Sequence, residues 1–87
     1  RHLWGFPNRK ADDMGIKLFR KKRFEQEMVI HLDTLYRFAI SLCGVPADAE
    51  DLVQETMMKA YKAYDRFKSG TNAKAWLMTI LRNTFLN

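Results

Sequence analysis

A chain of 87 residues with 47% apolar and 13% aromatic side chains makes one small domain, able to bury about 60–65% of its unfolded surface. Cys43 is its sole cysteine, which excludes a disulfide framework and a CxxC metal site, and no apolar run approaches the ~18–20 residues of a membrane span. The formal charge of +5 is unevenly spread: residues 1–23 carry eight Lys/Arg against Asp12 and Asp13, whereas residues 24–87 carry seven against eight Asp/Glu. The positive excess therefore sits in the leading segment, a pattern of local docking rather than of a global electrostatic field.

Residues 1–23 mix Gly5, Pro7, Asn8 and Gly15 with clustered bases. They read as a basic N-terminal arm, mostly irregular, with a short helical turn near Ile16–Phe19. A solvated tail is the plainer reading of this arm, and contact with DNA is the alternative. Starting at Arg1 and stopping at Asn87 inside an apolar pattern, the chain reads as a piece of a longer protein. No signal-peptide pattern is visible, and a reducing cytoplasm is the expected compartment.

From Phe24 the periodicity becomes helical. Phe24, Met28, Leu32, Leu35, Ala39 and Leu42 recur at three- and four-residue steps, predicting a helix of about five turns ended by Gly44 and Pro46. The second helix opens at "PADAED", with Asp48 expected as its cap and Glu50 and Asp51 suited to the positive end of the dipole. Val53, Met57, Ala60, Tyr61, Tyr64 and Phe67 form its predicted apolar stripe, and Lys59, Lys62 and Arg66 gather at its end. "KSGTN" breaks the pattern, with Thr71 or Asn72 as the next N-cap. A third helix follows, its apolar side formed by Trp76, Leu77, Ile80, Leu81, Thr84 and Phe85. The expected fold is all-α: a three-helix bundle over 24–87 preceded by the arm, its first two helices a hairpin across a short turn.

Four constellations stand out. Asp48, Glu50, Asp51 and Glu55, with Gln54, cluster at the start of the second helix, and Asp51 and Glu55 share a face at i, i+4. Capping and a solvated surface explain Asp48 and Glu50, but Glu55 lies beyond the first turn, where the dipole effect has faded. Hard-cation sites need more oxygen ligands than this cluster offers, so no metal is assigned. The loop "FKSGTNAKAW" is an ordinary connection or, because a glycine turn leading into a helix N-terminus can hold an anion, a phosphate contact flanked by Lys68 and Lys74. Arg82 and Asn83 are side-chain types that pair with base edges, although exposed polar pairs usually have no such role. Among the aromatics, Tyr64 and Trp76 are assigned to the core and Phe67, at the loop edge, to a second role in stacking. His2 and His31 lie apart, and neither a nucleophile motif nor a Walker-type phosphate loop is present, so no catalytic residue is assigned, no cofactor is implied and an enzyme is not expected.

Taken together, "DAEDLVQET", "KAYKAYDRF" and "AWLMTILRN", in this order and spacing, make residues 24–87 resemble region 2 of bacterial extracytoplasmic-function (ECF) RNA polymerase sigma factors. The resemblance implies a transcription initiation module that joins core RNA polymerase and recognises the −10 promoter element. It gives Asp51, Gln54 and Glu55 the contact with the clamp helices of the β′ subunit, so that the acids of a basic chain meet a basic partner. It places Phe67, Lys68, Ser69, Gly70, Thr71 and Asn72 around a base taken out of the duplex, with Thr79, Arg82 and Asn83 on neighbouring nucleotides and Lys68 and Lys74 on phosphates. It also implies that the −10 DNA is held as a single strand and admits an anti-sigma factor as a further partner; no membrane partner is expected, since no apolar run is long enough to span one. Val45 stands where the family usually has Asp or Asn, residues 1–23 have no clear family counterpart, and the family's C-terminal helix-turn-helix is not among these residues. Two rival readings are a helical interaction module that keeps the polymerase contact without reading DNA, and a duplex-binding helix-turn-helix regulator, which would carry a recognition helix richer in bases than Ala75–Asn87.

Overall fold

The computed structural model describes the backbone of residues 9–68 and 70–87 and the side chains from residue 14 onward, Ser69 excepted. Four α-helices follow one another: α1 (Arg9–Met28), α2 (Leu32–Cys43), α3 (Pro46–Lys62) and α4 (Ala73–Leu86), with single 3-10 turns at Val29–His31 and Tyr64–Arg66. No strand occurs among the described residues. Helices α2, α3 and α4 pack on one another as the bundle, and α1 is laid against it through its C-terminal half.

The first correction concerns the arm. Residues 9–23 are helical rather than mostly irregular, while residues 1–8 of the expected arm lie outside the described residues. Pro7 and Asn8 come before the first described residue, and from Arg9 to Met28 only Gly15 opposes helix formation, at a cost of ~1 kcal/mol. Lys, Arg, Glu, Gln, Met and Leu, all good helix formers, make up most of the rest. Burial along α1 begins at Phe24 and Met28, whereas Met14, Ile16, Leu18 and Phe19 are exposed.

The second correction is a break. The helix expected from Phe24 to Leu42 is divided at Val29–His31, where Val29 and Ile30 are adjacent β-branched residues whose χ1 is crowded by the preceding helical turn. Both are exposed, so packing does not compensate for that crowding. After the break the predicted stripe resumes, with Leu35 and Ala39 fully buried.

Helix α2 ends at Gly44, whose φ of 77° lies in the left-handed region and whose N–H donates to the Ile40 carbonyl at 2.8 Å. Val45 is then extended, as a residue before proline must be, and Pro46 occupies the first turn of α3. Val45 is therefore the N-cap residue and Asp48 is an exposed residue of the first turn, not the cap. The buried side of α3 is Ala49, Leu52, Thr56 and Ala60: Ala60 and, past the helix, Tyr64 are buried as the predicted stripe has them, whereas its Val53, Met57 and Tyr61 are half-buried beside Leu52 and Thr56. The Thr56 hydroxyl is tolerated at full burial because it donates to the Leu52 carbonyl at 2.7 Å.

The core joins Leu35 and Ala39 of α2, the buried side of α3, and Leu77 and Leu81 of α4. Phe24 and Met28 extend it onto α1, and Tyr64 closes its lower end. Small side chains at Ala39, Ala49 and Ala60 are fully buried, which lets the helix backbones approach closely. The all-α reading and the three-helix bundle hold, with α1 added to them.

Candidate nucleic-acid and polymerase interface

Helix α3 buries Leu52 and Thr56 and so turns Asp51, Gln54 and Glu55 outward, where all three are exposed. Glu55 has a neighbour that residue spacing alone suggests: Lys59 Nζ lies 3.4 Å from its carboxylate. The same ammonium donates to Thr84 Oγ1 on α4 at 3.2 Å, so one lysine bridges the acidic helix and the last helix. An exposed i, i+4 pair of this kind contributes only about 0.3–0.5 kcal/mol, which leaves the carboxylate available to a better-placed cation. Beside this face a cleft of about 540 Å³ opens among Phe24, Val29, Leu32, Met57, Met58 and Tyr61. Met58, one turn after Gln54 and Glu55, is 62% exposed.

The turn between α3 and α4 is built by its own hydrogen bonds. Ala63 N–H reaches the Lys59 and Ala60 carbonyls to close α3, and Phe67 then becomes extended. Thr71 N–H and Oγ1 both donate to the Lys68 carbonyl, at 3.1 and 2.6 Å. Gly70 takes a φ of 91°, which a residue with a side chain adopts only under strain. Asn72 is the N-cap of α4, its side-chain oxygen accepting from Ala75 N–H at 3.0 Å. Lys68 and Lys74 are exposed on either side. Ser69 lies outside the described residues.

Phe67 is half-buried rather than free at the loop edge. Its ring stacks with Tyr64 at 6.3 Å and lies 4.6 Å from the Trp76 ring centroid. Phe24 meets Tyr61 and Tyr64 edge-on at 5.1 and 5.2 Å, so an unbroken series of rings runs from α1 through α3 to α4 beneath the turn. On α4, Thr79, Arg82 and Asn83 share a face at i, i+3 and i+4 and are exposed. The Thr79 hydroxyl donates back to the Ala75 carbonyl at 2.9 Å. No intramolecular hydrogen bond occupies the Arg82 or Asn83 side chains among the described residues, which leaves their donors and acceptors to a ligand.

A group that sequence patterning overlooked sits beside Phe67. Arg20 of α1 donates from Nε to Asp65 Oδ1 and from a terminal nitrogen to the Tyr61 carbonyl, both at 2.9 Å. Its guanidinium lies 4.6 Å from the Tyr61 ring centroid and 5.5 Å from that of Tyr64. The hydrogen bond to Asp65 is the main cause of a pKa raised above the usual arginine value. Below it the Tyr64 hydroxyl donates to the Glu27 carboxylate. Between α1 and the turn runs a second cleft, of about 410 Å³, whose walls include Phe19, Arg20, Arg23, Tyr64, Phe67 and Lys68. The signal for it was the i, i+4 step from Arg20 to Phe24, which continues the helical stripe upstream of the point where the pattern was expected to begin.

Among the described residues no three His, Cys, Asp or Glu side chains gather as metal ligands, and no helix is long and apolar enough to cross a membrane.

Residues 29–87 match the sigma-70 region 2 family. Over 59 residues the chain is 48% identical to the ECF RNA polymerase sigma factor EcfG of Rhodopseudomonas palustris, a match covering 68% of this chain and 33% of that protein. It is 40% identical over 57 residues to the ECF RNA polymerase sigma factor SigE of Mycolicibacterium smegmatis, covering 66% of this chain and 22% of that one. Among solved structures it is similar to the sigma factor RpoE of Bartonella quintana, crystallised with the anti-sigma factor NepR, with a TM-score of 0.68 and 54% identity over 75% of this chain and 41% of that one. The chain thus spans a third or less of the two curated relatives' length.

Proposed function

This chain belongs to the sigma-70 region 2 family, and on that premise we propose that it docks on core RNA polymerase and recognises and helps to melt the −10 promoter element in a bacterial cytoplasm. Asp51, Gln54 and Glu55 meet the basic β′ clamp helices, with Met58 and the adjoining apolar cleft beside them. Phe67, Lys68, Ser69, Gly70, Thr71 and Asn72 surround an unpaired base, and Thr79, Arg82 and Asn83 read its neighbours. Lys68 and Lys74 hold phosphates, which sets the strand's register without conveying sequence. Removing a base from the duplex costs a few kcal/mol, which stacking and hydrogen bonds at the turn must offset. The chain binds DNA and the polymerase does the chemistry, so no catalytic residue is assigned. An anti-sigma factor is a third proposed partner, supported by the complex of the Bartonella protein.

The observation that carries this reading is that Gln54 and Glu55 on α3, and Arg82 and Asn83 on α4, are all exposed, while Thr56 beside the first pair and Leu81 beside the second are fully buried. The duplex-reading alternative is disfavoured because α4 carries only Lys74 and Arg82 as bases. Capture of core polymerase by the parent chain and by a Gln54→Ala, Glu55→Lys variant tests the docking half. The variant is expected to lose capture while keeping its helical circular dichroism; equal capture would remove the polymerase assignment. For the DNA half, a single-stranded −10-like oligonucleotide is expected to bind more tightly than its duplex, and Arg82→Ala and Asn83→Ala to weaken it. The opposite preference would favour the helix-turn-helix reading, and unchanged binding by both variants would favour a module that no longer reads DNA.

A further inference from the structure

Helix α1 upstream of Val29 lies outside the residues matched to the family, yet it forms one wall of the cleft beside Phe67. We propose that this cleft is a second subsite for single-stranded DNA, taking the nucleotide next to the one held by the turn. The proposal rests on reading Phe67–Asn72 as a DNA site and adds α1 to it.

Three observations support it. The first is continuity: Phe67 and Lys68 belong both to the turn and to the cleft, so a strand leaving the turn on this side enters the cleft without crossing other protein. The second is chemistry. Phe19 is 69% exposed and lines the cleft with the cationic side chains Arg20, Arg23 and Lys68. An aromatic face beside basic groups along a groove is the arrangement that binds unpaired strands with little sequence preference. Arg20 is paired with Asp65, which also lines the cleft, so it serves as a fixed wall; Arg23, itself 3.9 Å from Glu27, adds to the local positive charge, and the exposed Lys68 supplies the cation for a phosphate. The third is size: about 410 Å³ falls within the ~300–1,000 Å³ range of small-ligand clefts. Phe19 has no place in the core, and an isolated exposed phenylalanine would need no explanation. Its position in a cationic cleft continuous with the turn is what gives it a role.

The test uses the 87-residue chain with a fluorescein-labelled, randomised pool of short single-stranded DNA, read by anisotropy, for the parent, Phe19→Leu, Phe19→Trp and Asn83→Ala. Loss of one base–aromatic stack predicts that Phe19→Leu binds about tenfold more weakly, and Phe19→Trp, which keeps an aromatic face, at least as tightly as the parent. Poly-glutamate is expected to displace the DNA poorly. If Phe19→Leu binds like the parent while Asn83→Ala is weakened, the subsite is wrong and the turn reading stands. If neither variant is weakened, both fail together. Equal displacement by poly-glutamate with no effect of Phe19→Leu would mean that a polyacidic protein segment, not a DNA strand, is the better occupant. As a measurement that needs no variant, ultraviolet cross-linking of a bromodeoxyuridine-containing strand to the parent should mark the peptide that holds Phe19, and cross-links confined to α4 would overturn the proposal.

Discussion

Arg20 and Asp65, forty-five residues apart, meet at 2.9 Å and fasten the helix that precedes the bundle to the turn that follows α3. Arg20 is the more enclosed partner, its side chain 25% exposed against 82% for Asp65. Its second hydrogen bond, to the Tyr61 carbonyl, makes the fastening independent of charge alone.

Arg20→Ala should therefore release α1 without unfolding the bundle. Amide exchange is expected to quicken over residues 14–23 while Leu77 and Leu81 keep their protection. Asp65→Asn retains the bond to Tyr61 and should have a smaller effect, and added salt should weaken the parent's contact because Asp65 faces solvent. A matching loss of protection in α4 would show that α1 is integral to the bundle.

Gly44 and Gly15 should respond in opposite directions to alanine. Nothing lies within 4 Å of a Cβ at either position, so conformation decides. Gly44→Ala forces a side chain into the left-handed region and should cost about 1–2 kcal/mol. Gly15→Ala, within α1, should stabilise that helix by up to ~1 kcal/mol. Urea denaturation of the first and helical circular dichroism of the second measure the contrast.

Thr56 and Leu77 are both fully buried and should differ in what they contribute. Thr56→Val removes a donor whose acceptor, the Leu52 carbonyl, keeps its helical partner, so stability should change by less than about 1 kcal/mol. Leu77→Ala leaves a hole at the centre of three helices and should cost ~2–5 kcal/mol. Chemical denaturation of both variants checks the pair, and a Thr56→Val loss as large as that of Leu77→Ala would mean that the hydroxyl organises the core.

Asn72 separates capping from DNA contact. Asn72→Ala loses the bond to Ala75 N–H and should cost about 1 kcal/mol. Asn72→Asp keeps the cap and should leave stability near the parent's, while its negative charge between Lys68 and Lys74 should weaken binding of single-stranded DNA. Thermal melts and anisotropy on the same two variants distinguish the roles.

The bundle was legible because its signals are local and periodic. The step from Leu35 to Ala39, the Gly44–Val45–Pro46 turn and the Asn72 cap each announce themselves within a few residues. The break at Val29–His31 was not legible, since two β-branched residues weaken a helix without forbidding it, and only the competition between α1 and α2 for the core decides where it yields. Helix α1 is not legible from the same signals, because Gly5, Pro7, Asn8 and Gly15 argue for irregular backbone while, among the described residues, no buried stripe begins before Phe24. The family motifs led to Phe67 and to the Asp51–Glu55 face. They do not reach Arg20 or Phe19: the i, i+4 step to Phe24 marks Arg20 as continuing the helical stripe, but its partner Asp65 lies forty-five positions away, and no short spacing encodes that contact.

The three buried alanines, Ala39, Ala49 and Ala60, carry a mechanical consequence. Helices seated against side chains this small lie close together with little gap in which to slide, and close packing of this kind resists deformation. Adaptation to a strand or a protein partner is thereby left to the pieces at its edge, the glycine turn and the exposed residues 14–19 of α1, since Phe24 and Met28 tie the end of that helix into the core.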